Sequence, residues 1–184
     1  LQALPAVAAP SASAPNPHGQ VPQLVISGEG VGTIRLCASL DTVDAVFRHV
    51  RDTTFHAEGL RWRAKVVPYG HGEITFEASW VDPIRIWRIT TNSGDVHTPK
   101  GFRVGMSLRD LLAAGEHPRV VLPEGEVVIL FESEALAATI DSASEAEFYR
   151  QYDFATVPNI EAIPSHARIT EIATSTDCAA EERR

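Results

Sequence analysis

Long apolar runs are missing from this chain of 184 residues: no stretch approaches the 18 consecutive apolar positions that a membrane-spanning helix requires. Lysine is scarce, with Lys65 and Lys100 standing against fourteen arginines, and the cations form neither a run nor a helical stripe. The formal net charge is −8. Nucleic acid is therefore not an expected partner, because phosphate backbones require clustered cations. Catalytic signatures are absent too. Neither Cys37 nor Cys178 belongs to a C-x-x-C pair, and no G-x-S-x-G elbow exists for a serine nucleophile. The stretch Gly28-Glu29-Gly30-Val31-Gly32 lacks both the G-x-G-x-x-G spacing and a phosphate-binding lysine, and reads as an entry into a first strand. The histidines form no i,i+4 pair, and His71-Gly72-Glu73 lacks the P-C-x-x-C of zinc deaminases and falls in an expected hairpin turn. No catalytic residue, metal ligand or cofactor site is assigned. Carboxylates that meet only in space escape such a scan, and Glu73, Glu77 and Asp141 are the candidates for a hydrolase of that kind.

What is present suits one globular domain. The hydrophobic fraction is 44% and the mean hydropathy −0.06, enough apolar surface to offset chain entropy. Residues 1–22 are rich in Ala, Pro and Ser and carry no charge, the composition expected for the remainder of a removed export signal or the linker after one. The protein is accordingly expected to be exported, to the periplasm, the cell envelope or the medium. The domain spans residues 23–176, followed by a tail at 177–184. Two cysteines fit export. Pairing of Cys37 with Cys178 would close a very long loop, a constraint of about 4–5 kcal/mol in the chain-entropy model. Two unrelated buried thiols are the alternative.

Three blocks recur in order. Thr33–Val43 aligns with Gly101–Leu111, with Arg, Ser and Leu identical. Each predicts a short strand, a turn and a helix capped by Ser39 or Ser107. Asp110, three residues after Ser107, makes the second cap a capping box. Val66-Val67 and Gly72–Phe76 align with Val120-Val121 and Gly125–Ile129, each reading as a β-hairpin. Arg85–Thr91 aligns with Arg168–Thr174. The expected fold is α+β: two tandem strand-helix-hairpin-strand units, about 28–93 and 96–176, with helices packed on an antiparallel sheet. The first helix is expected over 41–51 with Val43, Val46, Phe47 and Val50 inward, and the second to close at Gly115.

The second unit carries an apparent insertion at 133–164, holding Phe148, Tyr149, Tyr152 and Phe154 among several acids. Ser144 and Glu147 predict a capped helix over 145–152. Either these aromatics cover a second face of the apolar strand 127–131, or they form a binding loop on a rigid scaffold. Trp80 continues the inward set Ile74, Phe76, Ala78 and is expected in the core. Trp87 lies opposite Ile84 and Ile86, where an exposed contact role is open.

The run Phe102-Arg103-Val104-Gly105-Met106-Ser107-Leu108-Arg109-Asp110-Leu111-Leu112 resembles the repeat of bacterial envelope proteins with the BamE-like or β-lactamase-inhibitor-protein-like fold. Cys37-Ala38 replaces its Gly-Met in the first unit. The resemblance implies exported, non-enzymatic proteins that bind other proteins, with a helical layer against a sheet. The expectation is a binding protein whose contact residues are Phe148, Tyr149, Tyr152, Phe154 and Trp87. A small-ligand carrier, with a pocket between sheet and insertion, is the rival.

Overall fold

The computed structural model describes residues 23–57, 59–114, 117–153 and 155–178. Gly115, Phe154, residues 1–22 and most of the 177–184 tail lie outside them. Among the described residues there are twelve strands and three short helices. This corrects the α+β expectation: the protein is mostly β, in one sheet of eight strands and one of four.

The small sheet comprises β1 (Leu24–Ser27), β2 (Gly30–Val31), β3 (Ile34–Arg35) and, parallel to β1, β8 (Val96–His97). Gly30 makes its first hairpin possible, since a Cβ there would strike the Ile34 carbonyl. The large sheet is two antiparallel meanders. The first is β4 (Arg51–Ala57), β5 (Leu60–Tyr69), β6 (Gly72–Ala78) and β7 (Ile86–Thr91). The second is β9 (Arg119–Val121), β10 (Val128–Phe131), β11 (Leu136–Ile140) and β12 (Ile169–Ser175). Their last strands, β7 and β12, pair antiparallel at the centre.

A single row shows how the halves relate. Across one rung the sheet reads Arg51, Val66, Thr75, Thr90, then Ala173, Ala137, Leu130, Arg119. Each meander has a register shift at the matching place, between Glu77 and Ala78 and between Thr139 and Ile140. The tight turn before each helix docks alike. The Cys37 amide donates to the Ile86 carbonyl and the Gly105 amide to that of Ile169, and the amides of Ile86 and Ile169 donate back to Ala38 and Met106.

These registers place β6 opposite β11, not β10. The hairpin alignment of Gly72–Phe76 with Gly125–Ile129 is therefore one strand out of step. The strand overlooked was β4, whose residues follow a helix expected to reach residue 51. In fact α1 covers only Thr42–Val46, and Val46 is exposed. With β-branched Thr53 and Thr54 and aromatic Phe55, the chain after Val50 favours the extended state. The 133–164 segment in turn supplies β11, a full member of the sheet, and only then the helix α3 (Ser142–Gln151).

Helix α2 (Leu108–Ala113) begins at Ser107 with the expected capping box to Asp110. Ser39 instead accepts the Asp41 amide in a turn. The third helix is capped by Asp141, which accepts the Ser144 amide, rather than by Ser144 itself. Helices α1 and α2 and the small sheet cover one face of the large sheet, with Ile26, Leu40, Val43, Ile74, Phe76, Ile89, Leu108, Ile129 and Phe148 in one apolar cluster. Full burial of each such side chain contributes about 1.5–3 kcal/mol.

Candidate functional site

Among the described residues, the loop between β6 and β7 gathers three exposed large apolar side chains. Trp80, Val81 and Ile84 are 59%, 69% and 59% exposed. Trp80 thus departs from the core position expected of it. Strand β6 ends at Ala78 with a register shift, and the alternation that carried Ile74, Phe76 and Ala78 inward stops there.

The loop is pinned by several hydrogen bonds. Ser79 Oγ accepts the Val81 amide at 3.1 Å, and Asp82 Oδ1 accepts the amides of Ile84 and Arg85 at 3.0 and 3.2 Å. Asp82 also pairs with the Arg85 guanidinium at 3.5 Å. The Leu40 amide donates to the Ile84 carbonyl at 2.7 Å, tying the loop to the turn before α1. Behind it, Cys37 and Cys178 form a disulfide with a Cα–Cα distance of 5.4 Å. That bond fastens the segment after the last strand to the same turn.

Trp80, Val81, Asp82, Arg85 and Trp87 line one side of a groove of about 530 Å³, with Ser175–Cys178 on the other. A second groove, of about 420 Å³, adjoins it at Trp87 and Ser175. Its floor is small because Ala137, Ala173 and Ser175 stand on the outer sheet face. In the first half the matching positions of Ala137 and Ala173 are Thr75 and Thr90. Trp87 is half-buried, and its indole Nε1 is buried without a hydrogen-bond partner. Beside it, Arg88 lies 3.8 Å from Glu77 and 3.5 Å from Glu171, while the Trp62 indole donates to Glu77 at 2.8 Å. Burial pushes the Glu171 carboxyl upward, an effect the Arg88 charge opposes.

Three other contact candidates, Phe148, Tyr149 and Tyr152, sit together at α3, the two tyrosines half-buried. Phe148 is fully buried, stacked on Tyr152 at 4.8 Å and edge-on to Tyr149 at 5.1 Å. Tyr149 donates its hydroxyl to the Gly125 carbonyl and Tyr152 donates to that of Thr156. Glu145 accepts the Val127 amide at 2.8 Å, clamping α3 across the start of β10. Phe154 is outside the described residues.

The three carboxylates considered for a hydrolase each have a different partner. Glu73 pairs with Arg51 at 3.3 Å, Glu77 with Trp62 and Arg88, and Asp141 accepts the amides of Ser144 and Arg168. His71 is fully exposed, 3.5 Å from Asp95. Among the described residues no three His, Cys, Asp or Glu side chains gather as metal ligands, and no helix is long and apolar enough to cross a membrane.

No protein-family model and no curated protein matches the sequence. The crystal structure of the uncharacterized protein yfeY from Escherichia coli is similar in fold. Its TM-score is 0.59 at 16% identity, over 83% of this chain and 99% of that one. The likeness concerns the fold alone.

The sequence signal for the exposed loop was its composition. Ser79-Trp80-Val81-Asp82-Pro83-Ile84 places two turn-forming polar residues and a proline among apolar ones, so the segment cannot continue a strand.

Proposed function

We propose that this is an exported, non-enzymatic binding protein that acts by protein–protein contact in the cell envelope or outside the cell. Its contact surface is the β6–β7 loop with the groove beside Trp87. The observation that carries this is the exposure of Trp80, Val81 and Ile84 on a loop pinned by hydrogen bonds to Ser79, Asp82 and Leu40. Apolar side chains held in a fixed array lose little conformational entropy on docking, which is how interface anchors achieve affinity. The disulfide is compatible with an oxidising compartment. The resemblance of residues 102–112 to the BamE-like repeat adds to the same proposal, but names no partner. An anionic membrane is a poorer fit, because the chain carries a net charge of −8.

The test is Trp80→Ser combined with Ile84→Ser. Both side chains are mostly in water, so the melting temperature is expected to hold within about 2 °C. Capture of the partner should fall roughly 30-fold or more if these are anchors. Undiminished capture would move the surface elsewhere. Tyr149→Ala with Tyr152→Ala should do the reverse, lowering stability through lost packing on Phe148.

The adjoining grooves favour a second reading, a small-ligand carrier. Their volumes lie in the range of small-molecule sites, and Trp87 forms a shared wall. Native mass spectrometry of the purified protein separates the two: a co-purified small molecule lost on Trp87→Ala supports the carrier.

A further inference from the structure

The two outer edges of the eight-stranded sheet are finished differently. Strand β9 is three residues long and stands between Pro118 and Pro123, so little of its edge is available for pairing. The matching strand, β4, runs for seven residues without proline, and six of the seven are exposed. Among the described residues no strand pairs with its outer side.

The β4–β5 hairpin has two unlike faces. Register places Thr54 beside Arg63 and His56 beside Arg61 on one, and Phe55 beside Trp62 and Ala57 beside Leu60 on the other. Phe55 and Leu60 are exposed, and the Phe55 and Trp62 rings lie 6.1 Å apart. Arg61 and Arg63 are exposed as well. Asp52, on the basic face, is bound to Lys65 at 2.8 Å. Although the whole chain is acidic, residues 48–65 carry five cations against two acids.

We propose that β4 accepts an extended strand of a partner polypeptide in which acidic residues alternate with apolar ones. Main-chain hydrogen bonds along the free edge would hold the strand. Its side chains would point alternately to the two faces. On one face they would meet Arg63, whose long side chain reaches over the small Thr54 across roughly 9.6 Å, two strand spacings, and Arg61 beside His56. On the other they would pack beside Phe55, Leu60 and Trp62. A second copy of this chain is the poorer occupant: on the basic face its own edge offers His56 and a single acid, Asp52, which is already bound to Lys65. This surface is separate from the Trp80 loop and does not depend on it.

The probe is a fluorescent peptide of alternating Glu and Val or Phe, seven residues long to match β4, titrated against the intact protein. Saturable binding is expected, with slowed amide exchange confined to β4. Methylating alternate backbone amides of the probe should weaken it about tenfold or more, because side chains are untouched and only the ladder is lost. Arg61→Glu with Arg63→Glu should weaken it similarly, and a Lys-for-Glu probe should restore binding to that variant, which shows that it still folds. The proposal is overturned if methylation leaves the affinity unchanged, if charge reversal does, or if exchange slows elsewhere. It is equally overturned if millimolar probe does not bind, or if sedimentation shows a dimer already covering β4.

Discussion

The rung Asp52, Lys65, Phe76, Ile89 in the first half of the large sheet corresponds to Val120, Ile129, Ala138, Ile172 in the second. Where one half buries an ammonium, the other buries a hydrocarbon. Lys65 is 4% exposed, held at 2.8 Å by both Asp44 of α1 and Asp52 of β4. The places of these three are taken in the second half by Ile129, Leu112 and Val120. The comparison separates what the scaffold needs from what it tolerates. The docked turn, the register shift and the central pair are common to both halves. The chemistry under the helix is not, because a charge can be buried only where its counter-charges are built in.

Three changes sharpen that comparison. The largest effect is expected from Ile129→Lys, which buries an ammonium in the half that lacks the two aspartates. The loss should be about 3–5 kcal/mol, seen as a fall in melting temperature of roughly 10 °C or more. A small loss would mean that the second half admits water or supplies acids of its own.

Next is Gly105→Ala. Gly105 has φ +90 and nothing lies within 4 Å of an added Cβ, so only the backbone conformation resists the change. About 1 kcal/mol should be lost, or roughly 2–4 °C by calorimetry. Cys37 occupies the same place in the first half at φ 63 with its side chain in the disulfide.

The smallest effect at neutral pH belongs to the exchange of Asp44→Leu, Asp52→Val and Lys65→Ile together, which is expected to be close to neutral, within about 0.5 kcal/mol. Its signature is in the pH profile. The hydrogen bond from Lys65 holds the Asp52 carboxyl below its ordinary value of 3.8. Burial opposes the Lys65 charge, but hydrogen bonds to Asp44 and Asp52 outweigh it and raise the pKa above 10.5. The Asp52 contribution is therefore present above pH 3.8 and lost as pH falls through the depressed value. The Lys65 contribution is present below pH 10.5 and lost as pH rises through the elevated one. Denaturant titrations at acid and alkaline pH should show the variant flatter than the parent at both ends.

Much of the first and third aligned blocks was legible because it encodes local, short-range structure. The cap at Ser107 and Asp110 needs only a serine, an acid three residues on and an apolar run. The middle was not legible. Val43, Val46, Phe47 and Val50 have helical spacing, yet a one-turn helix followed by an edge strand satisfies the same pattern, and only pairing with β5 decides between them. Missing β4 set the β5–β6 hairpin against β9–β10 instead of β10–β11 and made β11 look like part of an insertion, while β7 and β12 stayed in step. Trp80 was misplaced for a related reason: a register shift at Ala78 cannot be seen in alternation. Of the contact candidates, Phe148 was uninformative because an aromatic in a long segment looks the same whether it covers its own sheet or a partner's.

The links between sheet strands carry the contrast on which the proposed contact surface rests. In the first half the chain passes from Ala78 to Ile86 through a short loop that turns Trp80, Val81 and Ile84 outward. In the second it passes from Ile140 to Ile169 through α3, and turns Phe148 inward. The most direct test places a photo-crosslinking residue at Val81 in one variant and at Tyr149 in another, and illuminates each in an extract of the source cells. The account predicts a partner crosslinked from position 81, with none from position 149. Crosslinking from 149 alone would place the contact on α3 and contradict it.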